Sequence, residues 1–428
     1  INFFLGTEFY SAVIREILAN PEAYGRSEYG RDEKVMVEFV SANPTGPMHM
    51  GNARGGALGD CLAAVLEKAG YNAWREFYVN DAGNQIEKFG CSLEARYLQI
   101  FKGDEIEFPE DGYQGEDIKD LAKEYADLNG DSLVNVSAEE RKKALVDYAL
   151  PKNIKKMQAD MEKYKIFYDK WFFESELHKS GAVKAVVDLL TEKGLTYEKD
   201  GAVWYKNKEV LTQKLLKEGK SQKYIDNLEL KDDVLIRQNG NPTYFTADIA
   251  YHKNKFDRGF TTLIDVWGAD HHGHVMRMKG AMDAIGYDGD KLNVVLMQLV
   301  KLVKDGELVK MSKRTGKAIQ LGDLLDEVPV DSARFLFNTK EANTQMDFDL
   351  DLAVSQDNQN PVYYVQYAHA RICSIFKSLA KEGISPRECT DSELALLTAP
   401  EEKELINHLA SYTNEIISAA KDYDPVSY

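Results

Sequence analysis

The chain has 428 residues, with 53 Lys and Arg against 70 Asp and Glu, a formal net charge of −17. At roughly 150 residues per domain that length makes two to four domains, and 44% hydrophobic residues are enough for large cores, which excludes wholesale disorder. The acidic balance excludes unspecific coating of nucleic acid, and the longest apolar run, near Val294–Val303, is broken by Gln298 and Lys301 and is too short for a membrane span.

Taken in chain order, an amphipathic helix over Glu8–Leu18 and a Gly/Tyr-rich connector fill residues 1–30 and read as the tail of a module. Lys34–Val40 predicts a buried strand, Ser41–Pro47 a turn, Asn52–Ala69 a helix closed by Gly70, and Ala73–Val79 a second strand. Strand, glycine-bearing turn, helix and strand make one βαβ unit, hence a parallel sheet with helices on its faces, over residues 31–90. Residues 91–232 are highly charged, with helices expected at Ile118–Leu128, Ala138–Tyr164 and His178–Lys193 and a hairpin around Asp200-Gly201; they read as an insertion. Residues 233–346 resume the core through Val234–Arg237, a turn at Asn239-Gly240, an extended stretch Thr243–Thr246 and a strand Leu263–Trp267. A hairpin is expected over Asn293–Leu308. From Asp347 to the end the pattern is helical and amphipathic. The chain opens at Ile1 without Met and stops at Tyr428, and both ends read as cut.

Cys61, Cys91, Cys373 and Cys389 show no C-x-x-C spacing, which argues against a zinc knuckle and fits free thiols in a reducing cytoplasm.

Two segments carry chemistry. Pro47-Met-His-Met-Gly-Asn52 lies between a strand and a helix N-terminus, where unpaired N–H groups and the helix dipole favour anions. His49 and Asn52 add donors, and Gly51 lets a nucleotide approach the backbone. The plain alternative is a connecting turn capped by Asn52. About 250 residues downstream, Lys310-Met-Ser-Lys-Arg-Thr-Gly316 forms a cationic island suited to charge developing on a leaving pyrophosphate; alone it would read as a solvated loop.

Together the two segments resemble the His-Ile-Gly-His and Lys-Met-Ser-Lys-Ser signatures of class I aminoacyl-tRNA synthetases, with Asn52 and Arg314 as departures. The longer runs Val37–Pro47, Tyr78–Gln85 and Pro242–Tyr251 are similar to arginyl-tRNA synthetases. The resemblance implies an α/β fold: a Rossmann-like parallel sheet split by an α+β insertion, followed by an all-α helical bundle, residues 347–428, that reads the anticodon. It implies ATP-dependent activation of L-arginine and its transfer to the terminal ribose of tRNA(Arg), with Mg²⁺. It places His49, Asn52, Lys310 and Lys313 in catalysis and His49, Gly51, Asn52, Met311, Ser312 and Lys313 on ATP.

For arginine, the residues themselves give a check. A planar, forked guanidinium calls for carboxylates. Glu38 is a charge in an otherwise apolar strand, and Tyr244 and Asp248, four apart, share a helix face. The resemblance sets the guanidinium against Glu38, Tyr244 and Asp248 and the α-amino end near Asn43 and His49. Each of these also has a bland reading: an edge-strand charge, a core tyrosine, a helix cap. Asp270-His-His-Gly-His274 imitates a metal site; the favoured reading has it lining the sheet edge beside the amino acid, with His271 on the substrate and no metal held by the protein. Monomeric and cytoplasmic behaviour are expected, with no membrane partner. The competing readings are another class I synthetase, a non-catalytic tRNA-binding module and a metal-dependent hydrolase.

Overall fold

The structure, a computed structural model, describes residues 6–309 and 319–427. A first helix, α1 (Thr7–Ala19), leads to strand β1 (Lys34–Glu38). Alternation sends Val35 and Val37 to one side and Met36 and Glu38 to the other, and all four are buried. A strand covered on both faces belongs inside a parallel sheet. It stops at Glu38, short of the expected Val40, because Val40 (φ 73°) and Ser41 (φ 38°) turn into the left-handed region, a strained conformation for a β-branched residue. Helix α2 (Gly51–Lys68) and strand β2 (Asn72–Val79) complete the βαβ unit, and β1 and β2 are parallel. The helix lies close on the sheet: a Cβ at Gly59 would stand 2.2 Å from the Phe39 ring.

Helices α3 (Asn84–Lys102), α4 (Glu116–Asn129) and α5 (Ala138–Lys163) pack around Phe89, Leu93, Tyr97 and Ile118. The chain then returns to the sheet as β3 (Lys170–Phe173), parallel to β2. The expected insertion is therefore not one block: α3 crosses residue 91, and an edge strand of the main sheet comes from within 91–232. The helix expected over His178–Lys193 is two, α6 (Glu174–Lys179) and α7 (Ala182–Glu192), parted at Gly181 with φ 75°. Strands β4 (Thr196–Lys199) and β5 (Ala202–Tyr205) form the hairpin, followed by α8 (Asn207–Lys217), α9 (Gln222–Asn227) and β6 (Asp233–Ile236), in a small sheet of order β4-β5-β6.

Thr243 is extended, but helix α10 (Tyr244–Asp257) begins directly after it. The expected extended stretch Thr243–Thr246 is thus a helix start: the Thr243 hydroxyl donates to the Val234 carbonyl and that of Thr246 to the Leu235 carbonyl, tying the first turn to β6. Strand β7 (Thr262–Gly268), helix α11 (His272–Ala284) and strand β8 (Leu292–Met297) finish the main sheet, whose order is β3-β2-β1-β7-β8, parallel throughout. The hairpin expected over Asn293–Leu308 is smaller: β8 belongs to the main sheet, and only β9 (Val300–Lys304) and β10 (Glu307–Val309) turn around Asp305-Gly306.

After α12 (Leu321–Glu327) and α13 (Val330–Phe337) comes a strand, β11 (Met346–Asp349), parallel to β9, where helix was expected from Asp347. Its Met346 and Phe348 are buried. Helices α14 (Leu350–Val354), α15 (Pro361–Lys381), α16 (Asp391–Leu394) and α17 (Pro400–Asp422) close the described chain. Among the described residues no helix is long and apolar enough to cross a membrane.

From β1 the chain moves outward to β2 and β3, then jumps to the other side of β1 for β7 and β8. The order reverses between β1 and β7, and the carboxyl ends of those two strands flank the crevice where open parallel sheets bind ligands.

Candidate active site

The turn leaving β1 is held from below, where the Asn153 side chain of α5 donates to the Pro44 carbonyl at 2.9 Å. At its far end the Gly51 N–H donates to Nδ1 of exposed His49 (3.1 Å), and the His49 N–H donates to Oδ1 of Asn52 (3.1 Å). With Nδ1 accepting, the neutral ring carries its proton on Nε2. Asn52 uses its oxygen to hold the turn and keeps its NH₂ as a donor. All of this sits at the N-terminus of α2, whose first N–H groups are taken up by the turn itself: Gly51 by His49 Nδ1, Asn52 by the His49 carbonyl and Ala53 by the Met50 carbonyl; the positive end of the helix dipole remains.

A second segment is stitched to this turn. The Met50 N–H donates to the Ile319 carbonyl (3.1 Å), the Leu321 N–H donates to the Met48 carbonyl (2.9 Å), and His49 and Gln320 form an antiparallel bridge. Lys310, Met311, Ser312, Lys313 and Arg314 lie outside the described residues, between β10 and this stitch.

On the opposite face of the sheet, strand register lines up three acids. Glu38 of β1 stands beside Glu76 of β2 and Asp265 of β7, and all three are buried. Helix α10 covers them with Tyr251, His252, Lys255 and Arg258. The Arg258 guanidinium donates to both oxygens of Glu76 (2.6 and 2.8 Å), joined there by the Tyr251 hydroxyl and the Trp74 N–H. Lys255 Nζ donates to Glu38 Oε2 at 2.5 Å and to Asp265 Oδ1 at 2.8 Å, and Ser41 Oγ donates to Glu38 Oε1 at 2.7 Å.

His252 Nε2 meets Asp265 Oδ2 at 2.6 Å while its Nδ1 meets the Asp248 carbonyl at 2.8 Å. The ring is thus fixed between the Asp265 carboxylate and the Asp248 carbonyl. Burial opposes the Asp265 charge, but Lys255 and His252 outweigh it and hold the carboxyl down to about 2. Burial opposes the Lys255 charge too, yet Asp265 and Glu38 hold its ammonium above the ordinary range. For Glu38 burial wins: its carboxyl is raised in spite of Lys255.

One turn before His252, Asp248 accepts from His274 Nε2 (3.0 Å) through Oδ2, and its side chain is 35% exposed. Tyr244, a further turn back, is 43% exposed. It shares a cavity of about 700 Å³ with Glu174, His178, Arg237, Asn239 and Asn241.

The sequence reading missed Glu174. It is buried at the end of β3, 3.1 Å from His178 Nε2, and burial raises its carboxyl. A signal was present: Glu174 directly follows the aromatic strand Trp171-Phe-Phe, opening α6, much as Glu38 ends an aliphatic one. Burial first, and then the negative fields of Glu174, Asp248 and Glu38, push the Tyr78 hydroxyl far above its ordinary range. Glu38, Asp248 and Glu174, from three distant stretches, thus all act on the one Tyr78 hydroxyl.

Asn43 stands exposed on the turn after β1. His271 is 60% exposed beyond the carboxyl end of β7, with Asp270 Oδ2 at 3.7 Å. Among the described residues, the group of three His and carboxylate side chains close enough to share an ion is Glu38, His252 and Asp265, not Asp270–His274. The Lys255 ammonium already bridges its two carboxylates, so a cation has no place there.

Comparison with known proteins agrees with this geometry. A family model described as tRNA synthetases class I (R), catalytic domain, matches residues 13–373, and one described as DALR anticodon binding domain matches residues 365–428. An arginine–tRNA ligase of Ruminiclostridium cellulolyticum is 55% identical over 427 residues, 99% of this chain and 73% of its own. One from Caldanaerobacter subterraneus is 56% identical over 426 residues, again 99% and 73%. A solved chain from Campylobacter jejuni, assigned as an arginyl-tRNA synthetase, matches with TM-score 0.82 at 34% identity, covering 99% of this chain and 88% of that one. With a nucleotide-type turn on one side of β1, an acidic pocket on the other and these relatives, the chain belongs to the arginyl-tRNA synthetases, the class I ligases that join arginine to tRNA at the expense of ATP.

Proposed function

We propose the following division of labour. Glu38, Asp248 and Tyr244, with Glu174 as a fourth group, hold the guanidinium. Asn43 holds the α-amino end beside the His49 turn, and His271 closes the pocket from the end of β7. His49 Nε2–H and the Asn52 NH₂, at the positive end of the α2 dipole, hold the phosphates of ATP over Gly51. Met311 and Ser312 contact the nucleotide, Lys310 and Lys313 face the departing pyrophosphate, and Mg²⁺ enters with the triphosphate as part of the substrate.

An arginine carboxylate oxygen attacks the α-phosphorus in line. The bond from that phosphorus to the oxygen bridging to the β-phosphate breaks, and its electron pair leaves with pyrophosphate. A terminal ribose hydroxyl of tRNA(Arg) then attacks the arginyl carbonyl, forming the ester and releasing AMP. Neither step needs a protein nucleophile; positioning and charge stabilisation suffice.

The observation that supports this reading is that Glu38, Asp248 and Glu174 all raise the Tyr78 hydroxyl, at the end of the strand beside β1. Lysine would bring one point charge to a site built for a fork; by analogy with polar-site discrimination its rejection is on the order of 10⁴-fold. ATP–pyrophosphate exchange with arginine, lysine and citrulline, in the presence of tRNA(Arg), tests it. Comparable exchange with lysine would overturn the pocket.

The residue blocks 31–90 and 233–346 serve as the two catalytic halves, with 1–30 leading in, 91–232 between them and 347–428 for the anticodon. We place the protein in the cytoplasm, consistent with four free cysteines, and as a monomer. A light-scattering mass near twice 48.4 kDa would refute the monomer.

A further inference from the structure

We propose that Lys255 is a positioning residue for arginine recognition: from beneath the pocket it keeps the Glu38 carboxylate charged and aimed at the substrate. The proposal rests on the assignment of Glu38 to the guanidinium.

The argument starts from strand register. Three carboxylates on adjacent strands of one sheet face repel one another, and no water reaches them to screen the repulsion. Glu76 is answered separately by Arg258, Tyr251 and Trp74. Glu38 and Asp265 share one ammonium, fully buried, donating to both.

Geometry then separates the back of Glu38 from its front. A carboxylate offers about four lone-pair sites. Ser41 takes one on Oε1 and Lys255 one on Oε2, so each oxygen keeps a site for a forked donor arriving from the crevice. The groups that set the charge of Glu38 come from every neighbour: Lys255, His252 and Tyr251 on α10, Asp265 on β7, Tyr78 on β2, and Tyr168 just before β3. Of these only Lys255 is a cation in contact with Glu38. Without it, Glu38 keeps its burial and the Asp265 repulsion, opposed only by the field of His252, and its carboxyl is raised further toward the neutral form. A neutral carboxyl grips a guanidinium poorly.

The test is the arginine KM in tRNA-dependent ATP–pyrophosphate exchange, measured across pH for the full chain. For Lys255→Met we expect an arginine KM raised roughly ten-fold near neutrality, falling again as pH rises and Glu38 ionises, with the ATP KM within about two-fold of wild type. Lys255→Arg should restore most of the affinity. A wild-type KM in Lys255→Met, or a raised KM that does not change with pH, would overturn the proposal, the latter by showing a packing role. If Lys255→Met does not fold, Lys255→Gln, which keeps a donor without the charge, is held to the same outcomes. Glu38→Gln separates the two readings. An unchanged arginine KM there removes Glu38 from the pocket; a raised one beside a pH-independent Lys255→Met removes only Lys255.

Discussion

The N–H of Gly51 donates to Nδ1 of His49 across 3.1 Å, so the backbone of the nucleotide turn selects the tautomer of its own histidine. The outward N–H is then a fixed donor. Replacing His49 with Ala should lower kcat for ATP–pyrophosphate exchange roughly 10²–10³-fold, the usual loss when one preorganised donor is removed. The arginine KM should change much less. An arginine KM that rises in step with the fall in kcat would make His49 a substrate-binding group only.

Asp248 is held from two sides, its side chain by His274 and its backbone carbonyl by His252. Asp248→Asn should raise the arginine KM about 10–100-fold while leaving that for ATP near wild type, as expected when one charge-assisted contact to the substrate is lost. His274→Gln should shift the same parameter in the same direction by less. Equal changes for arginine and ATP would refute the pocket.

On the role proposed for Lys313, meeting charge that develops only as pyrophosphate departs, Lys313→Ala should lower kcat with smaller effects on either KM. Rapid-quench measurement of adenylate formation reads this step directly. An unchanged rate would remove the lysine segment from the chemistry.

Asp265 links folding to pH. Its carboxyl lies near 3.8 unfolded and at about 2 folded, so the stability it contributes is fully present above about pH 4 and is lost as pH falls toward 2. The shift corresponds to about 2 kcal/mol. The raised carboxyl of Glu38 acts with the opposite sign, weakening the fold as pH rises through its folded value. Urea midpoints between pH 5 and pH 2.5 should therefore fall more steeply for the wild type than for Asp265→Asn. Parallel curves would show that Asp265 is not the group being titrated.

Much of the site could be read in the sequence because its signals were local. Glu38 stands out as a charge in an apolar run, and Tyr244 and Asp248 are one helical turn apart. Glu174 carries the same mark as Glu38, but it sits inside a heavily charged stretch where one more glutamate is unremarked. The buried Lys255 and the half-buried Arg258 look like the solvated face of a surface helix. Their role depends on the lateral register of three strands drawn from Lys34–Glu38, Asn72–Val79 and Thr262–Gly268, which no local pattern encodes. Strand β11 escaped for a related reason: four residues, Met346-Asp-Phe-Asp, alternate too briefly to stand out before a helical region.

Gln320 is bridged to His49, with hydrogen bonds on either side of the pair. Whatever path the lysine segment takes, its downstream end leaves from the backbone of the first signature. A substrate pulling on the lysines therefore loads the same peptide that orients the histidine, and a kink introduced at Gln320, far from any reacting atom, should disturb both halves of the nucleotide grip together.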